Sequence, residues 1–357
     1  MRSPRRAPPS DRRRYADPVA KPTTPSRRPT LEMVAAEAGV TRSTVSRALN
    51  GEPDVSQATI KHVREVAARL NYVPNRAARS LASSRSMAIA LVIPEPGMLA
   101  LADPHLVAVM AGVSRRIEDS DYLLSLMVAG DSENAKIMRY LTSGVVDGVL
   151  VASQHSRHDA LLYLHDLVPV VFSGRPTEQT DPPNYFIDLD NAAAAAAGTA
   201  HLVSLGRRRI ATITGPEDMA AASDRTAGWR SALVEAGLPA DLVAVGDYTA
   251  LGGAAAMRAL LERDPGIDGV FAANDVMAAA AVSVLLDAGR RVPQDVAVVG
   301  FDDSSAALTA RVPLTTVSQP SEAMGGLMAD LLLRILAGDD VPVSTVVESH
   351  LVRRASA

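Results

Sequence analysis

The sequence contains no cysteine, which excludes disulfide-stapled folds, thiolate zinc sites, iron–sulfur clusters and cysteine nucleophiles. Aromatic residues make up 3% of the 357 residues, with one Trp and four Phe. No apolar run approaches the roughly 20 residues of a membrane helix, and the Arg- and Pro-rich start lacks the apolar stretch of a secretory signal. We therefore expect a soluble cytoplasmic protein of about two or three domains, with no cofactor and no membrane partner.

Charge is distributed unevenly along the chain. The first 86 residues hold 17 Lys and Arg against seven Asp and Glu, a net charge of +10, and the remainder carries −14. A basic part on an acidic remainder indicates that one end of the chain contacts a polyanion. Residues 1–29 hold seven Pro and eight Arg with almost nothing large and apolar, which predicts a disordered basic arm. That arm either adds attraction to phosphate or is an inert extension.

Residues 30–74 form a compact series of short helical patterns. Thr30 can cap a helix that ends at Gly39, Thr41 can cap a second helix, and Ser56 can cap a third. Three short helices without a strand predict a small all-α domain.

The first two of these helices have the spacing of a helix-turn-helix. Ala35, Gly39 and Val45 are the small, turn-forming and β-branched residues that such a motif requires at spacings of four and six. The second helix carries hydroxyl and guanidinium groups on the face away from Val45 and Leu49, and these are groups that base edges and phosphates accept. They belong to Arg42, Ser43, Ser46 and Arg47. Spacing alone also fits an ordinary helical hairpin, but the local positive charge favours DNA.

From Met87 onward, apolar runs alternate with helical patterns, which predicts a doubly wound α/β body of two lobes. The predicted strands are Met87–Ile93, Tyr122–Val128, Val145–Val151, Val168–Phe172, Arg209–Thr214, Gly269–Ala273 and Val296–Gly300. The predicted helices include Leu106–Glu118, Asn191–Leu205, Asp218–Ala236, Gly252–Glu262, Asp275–Ala288 and Glu322–Leu336. We expect the chain to cross between the lobes near residues 188–190 and 315–319. Residues of about 87–188 and 318–340 then form lobe 1, and residues of about 189–317 and 341–354 form lobe 2.

The run VSRALNGEPDVSQATIKHVREVAARLNYVPNRAARSLASSRS resembles the recognition helix, third helix and hinge of the LacI/GalR family of transcriptional regulators. The resemblance continues through GVFAANDVMAAAAVSVLLDAG and VAVVGFDDSSAA and covers Thr30 to about Arg354. It implies a small all-α helix-turn-helix head, joined by a hinge helix and linker at 75–86 to a two-lobed α/β periplasmic-binding-protein-like (type I) body at 87–357. The function it implies is a ligand-responsive repressor that binds a near-palindromic operator in double-stranded DNA as a homodimer or higher oligomer. A small molecule between the lobes, such as a sugar or related metabolite, would control operator affinity.

The resemblance also assigns roles in DNA binding. It implies that the recognition helix begins at Thr41, that Arg42, Ser43 and Arg47 read bases, and that phosphates are contacted by Thr44, Ser46, Asn50 and Asn75. In the hinge, Arg76 and Arg79 can reach phosphates. Leu81 is a lone large apolar side chain that can act as a wedge in the minor groove. The alternative is that Leu81 packs against its twin or against the body.

In the body, the resemblance implies a set of effector-binding residues: His105, Arg175, Arg225, Tyr248, Asn274, Asp302 and Ser321. The guanidinium of Arg225 can grip hydroxyls or a carboxylate. Asn274 and Asp302 could instead be caps at strand ends, and His105 could be a surface histidine. Trp229 lies on a helical stripe and is expected to pack in the core. The scarcity of aromatic side chains counts against a sugar ligand.

Motifs of catalysis are missing from the sequence. There is no GxSxG, GxxxxGK or GxGxxG segment, and the adjacent pair Asp302 and Asp303 point in different directions. His155, His158 and His165 cluster without a zinc motif, so they are expected to be exposed and not to bind a metal. We therefore expect no enzyme. The rival reading is a solute-binding or enzymatic α/β protein whose basic head docks a partner.

Overall fold

The computed structural model describes residues 29–50, 54–72, 85–128, 130, 134–178 and 180–357. The chain divides into two compact units, Met1–Ala82 and Ser83–Ala357. The predicted disorder of residues 1–28 and the predicted roles of four hinge residues lie outside the described residues: Asn75, Arg76, Arg79 and Leu81. In the described part of the chain, no helix combines the length and the apolar character that a membrane span requires.

The first unit contains the three predicted helices, α1 (Leu31–Ala38), α2 (Arg42–Asn50) and α3 (Gln57–Arg69). The hydroxyl of Thr30 accepts a hydrogen bond from the Met33 amide, and Gly39 ends α1 in the left-handed conformation at φ 64°. A residue with a Cβ is disfavoured at that angle, which explains the glycine. The predicted caps of α1 and α3 and the turn of the motif are therefore confirmed.

The three helices of this unit share one apolar core. Val45 of α2 is wholly buried against Val34 and Ala35 of α1. Leu49, which we expected to be buried, is half-buried at the edge of this core, and Ala48 occupies the inner position instead. The small residue at 48 lets the two helices approach, so the motif depends on Ala48 as well as on Ala35.

The second unit contains two six-stranded sheets. Its strands are β1 (Ala88–Ile93), β2 (Leu123–Val128), β3 (Gly148–Val151), β4 (Val170–Ser173), β5 (Tyr185–Leu189), β6 (Ile210–Thr214), β7 (Val243–Val245), β8 (Gly269–Ala272), β9 (Ala297–Asp302), β10 (Thr315–Ser318), β11 (Ser344–Val347) and β12 (Leu351–Val352). Its helices are α4 (Gly97–Ala102), α5 (Pro104–Glu118), α6 (Asn134–Leu141), α7 (Asn191–Ser204), α8 (Ala220–Glu235), α9 (Ala250–Arg263), α10 (Asp275–Asp287), α11 (Ser305–Thr309) and α12 (Ser321–Ala337).

Each sheet is the core of one lobe. The first has the order β11-β5-β4-β3-β1-β2 and is parallel throughout. The second has the order β12-β10-β9-β8-β6-β7, and its strands are parallel except for β12, which runs antiparallel to β10. Helices α5 and α12 pack against each other on the first sheet, and α7 and α8 do so on the second. The prediction of a two-lobed α/β body is confirmed.

The chain passes between the lobes three times. It leaves the first sheet after β5, returns after β10 when α12 packs against β3, β4 and β5, and leaves again between β11 and β12. The assignment of all of 341–354 to lobe 2 was therefore wrong for residues 344–347, because β11 pairs with β5 in the first sheet. Five strands were not predicted: β5, β7, β10, β11 and β12.

Candidate functional site

A cavity of about 90 Å³ lies where the carboxyl ends of strands from the two sheets meet, and we call it the inner cavity. Its walls include Ser153 and Gln154 after β3, Asp188 near the end of β5 and Asn274 after β8. Ligands of open α/β sheets bind at such strand ends. Six of the seven effector residues expected from the sequence line it: His105, Arg175, Arg225, Tyr248, Asn274 and Asp302.

Arg225 projects from α8 and is buried. Its Nε donates to Asn191 Oδ1 at 2.8 Å, one terminal nitrogen donates to the Ala273 carbonyl at 2.5 Å, and the other donates to Gln319 Oε1 at 2.8 Å. The guanidinium also stacks 3.6 Å from the centre of the Phe301 ring. Neutral groups therefore fix the orientation of this cation.

Asp302 is the last residue of β9 and lies in the left-handed region at φ 107°. One carboxylate oxygen is 3.6 Å from a terminal nitrogen of Arg225. Burial raises the pKa of Asp302 well above its ordinary value, the charge of Arg225 opposes that shift, and Asp275 adds to it. Apart from this ion pair, the carboxylate accepts no hydrogen bond from the described residues, so it can accept one from a ligand in the cavity that it lines. Asp302 is not a helix cap, because Ser304 precedes α11.

Asn274 performs two tasks. Its Oδ1 accepts from the Met277 amide at 2.9 Å and caps α10, while its Nδ2 donates to the Tyr248 carbonyl at 3.0 Å. Tyr248 itself is left-handed at φ 63°. Its ring packs against the backbone of Gly215, where a Cβ would lie 2.2 Å from the ring carbon Cζ. Burial raises the pKa of the Tyr248 hydroxyl to about 12, so the hydroxyl keeps its proton and can donate to a ligand.

His105 is the second residue of α5, whose N-cap is Asp103. Its Nδ1 lies 2.7 Å from the Ser321 hydroxyl at the start of α12. Burial lowers the pKa of His105, against the attraction of Asp103, which favours the neutral ring. Ser321, the seventh residue expected to bind the effector, lines an adjoining cavity rather than the inner one.

Polar contacts cross the cleft on one side. The exposed Arg175 donates to Asp224 of α8 at 2.7 Å. His155 lies between Glu95 and Asp218, with its ring nitrogens 2.6 Å and 2.8 Å from their carboxylates. Burial alone lowers the pKa of His155, but the two carboxylates raise it above its ordinary value. The expectation that this histidine is exposed was wrong, because its side chain is 3% exposed.

Sequence reasoning missed several polar side chains of the inner cavity: Asp103, Gln154, Asp188, Asn191 and Gln319. Asp188 accepts from the Arg175 amide, and its carboxylate also accepts from Asn191 Nδ2 at 3.0 Å. Each of these residues lies close to the carboxyl end of a strand or at a helix start. That position was the signal that could have found them.

In the helical unit, the outer face of α2 presents the residues expected to read DNA. Arg42 and Ser43 are exposed, whereas Ser46 and Arg47 are half-buried. Arg42 pairs with Glu32 at 3.2 Å, and Arg47 pairs with Asp54. Three further residues were expected to contact DNA: Thr41, Thr44 and Asn50. The hydroxyl of Thr41 accepts a hydrogen bond from the amide of the half-buried Thr44 at 3.2 Å, and Asn50 is the last residue of α2. The motif thus holds a polar, partly basic surface on one helix.

A helix-turn-helix unit and a two-lobed α/β unit with a polar cavity between its lobes are the two parts of an effector-controlled DNA-binding regulator. Residues 30–75 match the model of bacterial regulatory proteins of the lacI family, and residues 199–357 match the periplasmic binding protein-like domain. A curated relative, the HTH-type transcriptional regulator CelR of Thermobifida fusca, is 45% identical over 336 residues, which cover 92% of this chain and 98% of that relative. The chain therefore belongs to the LacI family of transcriptional regulators.

Two solved structures extend the likeness to the whole architecture. A CelR–cellobiose complex is 43% identical with a TM-score of 0.73, and the match covers 92% of this chain and 100% of that one. A lac repressor dimer bound to operator and the anti-inducer ONPF is 28% identical with a TM-score of 0.81, and the match covers 92% and 99%. This chain is accordingly a DNA-binding, ligand-responsive transcriptional regulator.

Proposed function

We propose that the protein is a cytoplasmic repressor that binds a near-palindromic operator as a homodimer and responds to cellobiose or a closely related sugar. The observation that carries this proposal is the inner cavity, where a buried guanidinium held by neutral groups lies 3.6 Å from the buried carboxylate of Asp302. The CelR–cellobiose complex, at 43% identity, supports the choice of sugar. We assign no catalytic role to any residue.

The charges of the inner cavity favour a neutral ligand with many hydroxyls. Its acidic residues are Asp103, Asp188 and Asp302, and its arginines are Arg175 and Arg225. Three acidic side chains against two arginines favour a neutral ligand over an anionic one. A sugar hydroxyl can donate to the Asp302 carboxylate and accept from a neighbouring donor, so it satisfies both kinds of wall group.

Recognition would depend on hydrogen bonds more than on stacking. Among the described residues that line the inner cavity, Tyr248 is the one Phe, Tyr or Trp residue. The pKa of its hydroxyl is about 12, so the hydroxyl keeps its proton at neutral pH. We propose that Arg225, Asn274, Asp302 and Tyr248 contact the sugar directly. His105 and Arg175, which also line the inner cavity, and Ser321, which lines the adjoining cavity, would complete the contacts.

At the operator, we propose that Arg42, Ser43 and Arg47 read bases and that Thr41, Thr44, Ser46 and Asn50 contact the sugar–phosphate backbone. The exposure of Thr41, Arg42 and Ser43 at the start of α2 supports this assignment. The hinge residues Asn75, Arg76, Arg79 and Leu81 complete the proposed interface. The similarity to a lac repressor dimer bound to operator supports the homodimer on DNA.

The test measures binding of fluorescent genomic duplexes by anisotropy, with and without cellobiose, across a series of salt concentrations. We expect tight, site-dependent binding with a steep salt slope and a change in affinity when cellobiose is added. Arg225→Ala should keep operator binding and lose the response to cellobiose. Binding that shows no preference among duplexes, or a response that survives in Arg225→Ala, would contradict the proposal.

A further inference from the structure

A buried histidine joins the two lobes beside the inner cavity. His155 follows β3 in the first lobe, and its ring lies between two carboxylates. Its Nε2 is 2.6 Å from an oxygen of Glu95, which follows β1 in the same lobe. Its Nδ1 is 2.8 Å from an oxygen of Asp218, which precedes α8 in the second lobe. One imidazole therefore links a carboxylate of each lobe, and we call these three residues the lobe latch.

Neighbouring groups hold the lobe latch in this geometry. The Ser153 hydroxyl donates to the same Glu95 oxygen that faces His155, at 2.6 Å. The Ser156 amide donates to the Asp218 carbonyl at 2.9 Å, so the backbone next to His155 also contacts the second lobe. The carboxylate in the first lobe is thus fixed by its own lobe, whereas the contact with Asp218 depends on the spacing between the lobes.

The geometry of the lobe latch suits a charged ring. A neutral imidazole carries one N–H and one lone pair, so it donates to one carboxylate while its other nitrogen faces the second carboxylate without a proton. The imidazolium donates to both. Burial lowers the pKa of His155, but the hydrogen bonds to Glu95 and Asp218 outweigh burial and raise the pKa above its ordinary value of 6.5. The joined lobes therefore stabilise the protonated histidine.

A second ion pair joins the lobes close to the latch. Ser156 and Asp218 line a surface pocket together with three further charged side chains, those of Arg175, Glu217 and Asp224. Arg175 follows β4 in the first lobe and donates at 2.7 Å to Asp224 of α8 in the second. A guanidinium is not deprotonated in proteins, whereas an imidazole loses its proton near neutral pH. His155 is therefore the cation of this side of the cleft whose charge depends on pH.

The lobe latch is placed to set the width of the inner cavity. Gln154, next to His155 in the chain, lines the cavity from the first lobe. Met219, next to Asp218, lines it from the second lobe. Moving Asp218 away from His155 therefore moves two opposite walls of the cavity apart. A ligand that contacts both walls binds more tightly when the latch is closed.

We propose that His155 is a proton-controlled latch, which holds the two lobes together while its ring is protonated and releases them when the ring loses its proton. Opening separates the ring from Asp218, so the open arrangement binds the proton less tightly. The stabilisation of the closed arrangement is complete below the pKa of the open one and is lost as pH rises through the pKa of the closed one. The inference goes beyond the proposed function, because it makes the response to an effector depend on pH.

Spin-label distances in the full chain test the latch without any ligand. The chain has no cysteine, so Leu167→Cys and Val234→Cys supply two labelling sites, one exposed on each lobe. Double electron–electron resonance at pH 6 and pH 9 then gives the distribution of distances between the lobes. Labelled chains are diluted with unlabelled ones, so that each distance is measured within one chain.

Two variants and one control are compared with the wild type. His155→Gln removes the titrating ring, and Asp218→Asn removes the carboxylate of the second lobe. His165→Gln is the matched control, because the Nδ1 of His165 contacts the Leu162 carbonyl and the Asn184 side chain within the first lobe. Thermal unfolding of each variant confirms that it is folded.

We expect the wild type and His165→Gln to show a second interlobe distance that gains population toward pH 9. The ratio of the two populations should change about tenfold, as it does for a difference of one in pKa between the two arrangements. His155→Gln and Asp218→Asn should give the same distribution at both pH values. A wild-type distribution that is constant with pH, or a change that persists in both variants, would overturn the latch.

Calorimetry with cellobiose measures the consequence for regulation, and this measurement rests on the proposed function. Between pH 6 and pH 9, the affinity of the wild type should fall about tenfold more than that of His155→Gln. An equal fall in both proteins would overturn the latch. No binding of cellobiose to the wild type at either pH would instead contradict the proposed function, and the interlobe distances decide the latch in that case.

Discussion

Replacing Asp302 by asparagine should change folding stability and effector affinity in opposite directions. Burial raises the pKa of this carboxyl well above its ordinary value of 3.8, so the folded state binds more protons than the unfolded chain does. Stability is then lost as pH rises through the raised pKa. Asparagine is neutral at every pH and avoids this loss. Arg225 keeps its hydrogen bonds to Asn191, Ala273 and Gln319 in the variant.

The size of both effects follows from the buried carboxylate. Because its desolvation outweighs the attraction of Arg225 at 3.6 Å, a neutral side chain should raise the free energy of unfolding at pH 8 by about 1–3 kcal/mol. A hydrogen bond from a sugar hydroxyl to a charged carboxylate contributes about 1.5–3 kcal/mol. Losing it should weaken cellobiose binding by a factor of about 10–150.

Urea unfolding at pH 5 and pH 8 measures the first effect, and calorimetry with cellobiose measures the second. The gain in stability should be larger at pH 8. Asp275→Asn is the control for binding, because Asp275 is also buried but lines neither cavity. An Asp302→Asn protein that is less stable at pH 8 and binds cellobiose as the wild type does would refute the reasoning. Asp302 would then be a structural counter-ion of Arg225.

Three further changes test other parts of the molecule. Arg47→Ala should weaken operator binding by about 1–3 kcal/mol in anisotropy. The control is Arg69→Ala, which should have little effect because Arg69 is on α3 and pairs with Glu37 of α1. Burial raises the pKa of Asp275 to about 6. The stability of Asp275→Asn relative to wild type should thus rise by about 2.4 kcal/mol between pH 4 and pH 8 in urea unfolding, and a constant difference would contradict that burial penalty. Gly112→Ala places a Cβ 1.9 Å from the Glu322 carbonyl oxygen and should destabilise the fold by about 1–3 kcal/mol or more, whereas Gly326→Ala, whose Cβ meets its nearest atom at 3.9 Å, should not.

Six of the seven strands predicted from the sequence, β1, β3, β4, β6, β8 and β9, are interior strands of the two sheets, whereas three of the four edge strands, β7, β11 and β12, were not predicted. Strands such as β3 and β8 are buried along their whole length, so they read as continuous apolar runs. The edge strand β11 alternates between exposed and half-buried residues, and β12 has two residues. Strand β11 joins the first sheet because it pairs with β5, which lies about 160 residues earlier in the chain. The local residue pattern does not encode such a distant contact.

The same limit explains why two of the cavity residues, Asp188 and Gln319, were missed. Polar residues after recognised strands, such as Asn274 after β8 and Asp302 at the end of β9, were identified. Asp188 and Gln319 follow the same rule, but they lie at the ends of β5 and β10, which were not recognised as strands. Since ligand sites form where the carboxyl ends of parallel strands meet, an error in assigning a strand becomes an error in assigning the site.

Asn274 also shows why a structural role does not argue against a functional one. As a helix cap it uses Oδ1, and its Nδ2 bonds to the Tyr248 carbonyl with one of two N–H groups. The second N–H is left to donate into the inner cavity that Asn274 lines. The cap holds the side chain in one rotamer, so the amide reaches a ligand already oriented and loses little entropy on binding. The helix cap and the ligand contact are therefore compatible roles of Asn274, because the first is what makes the second effective.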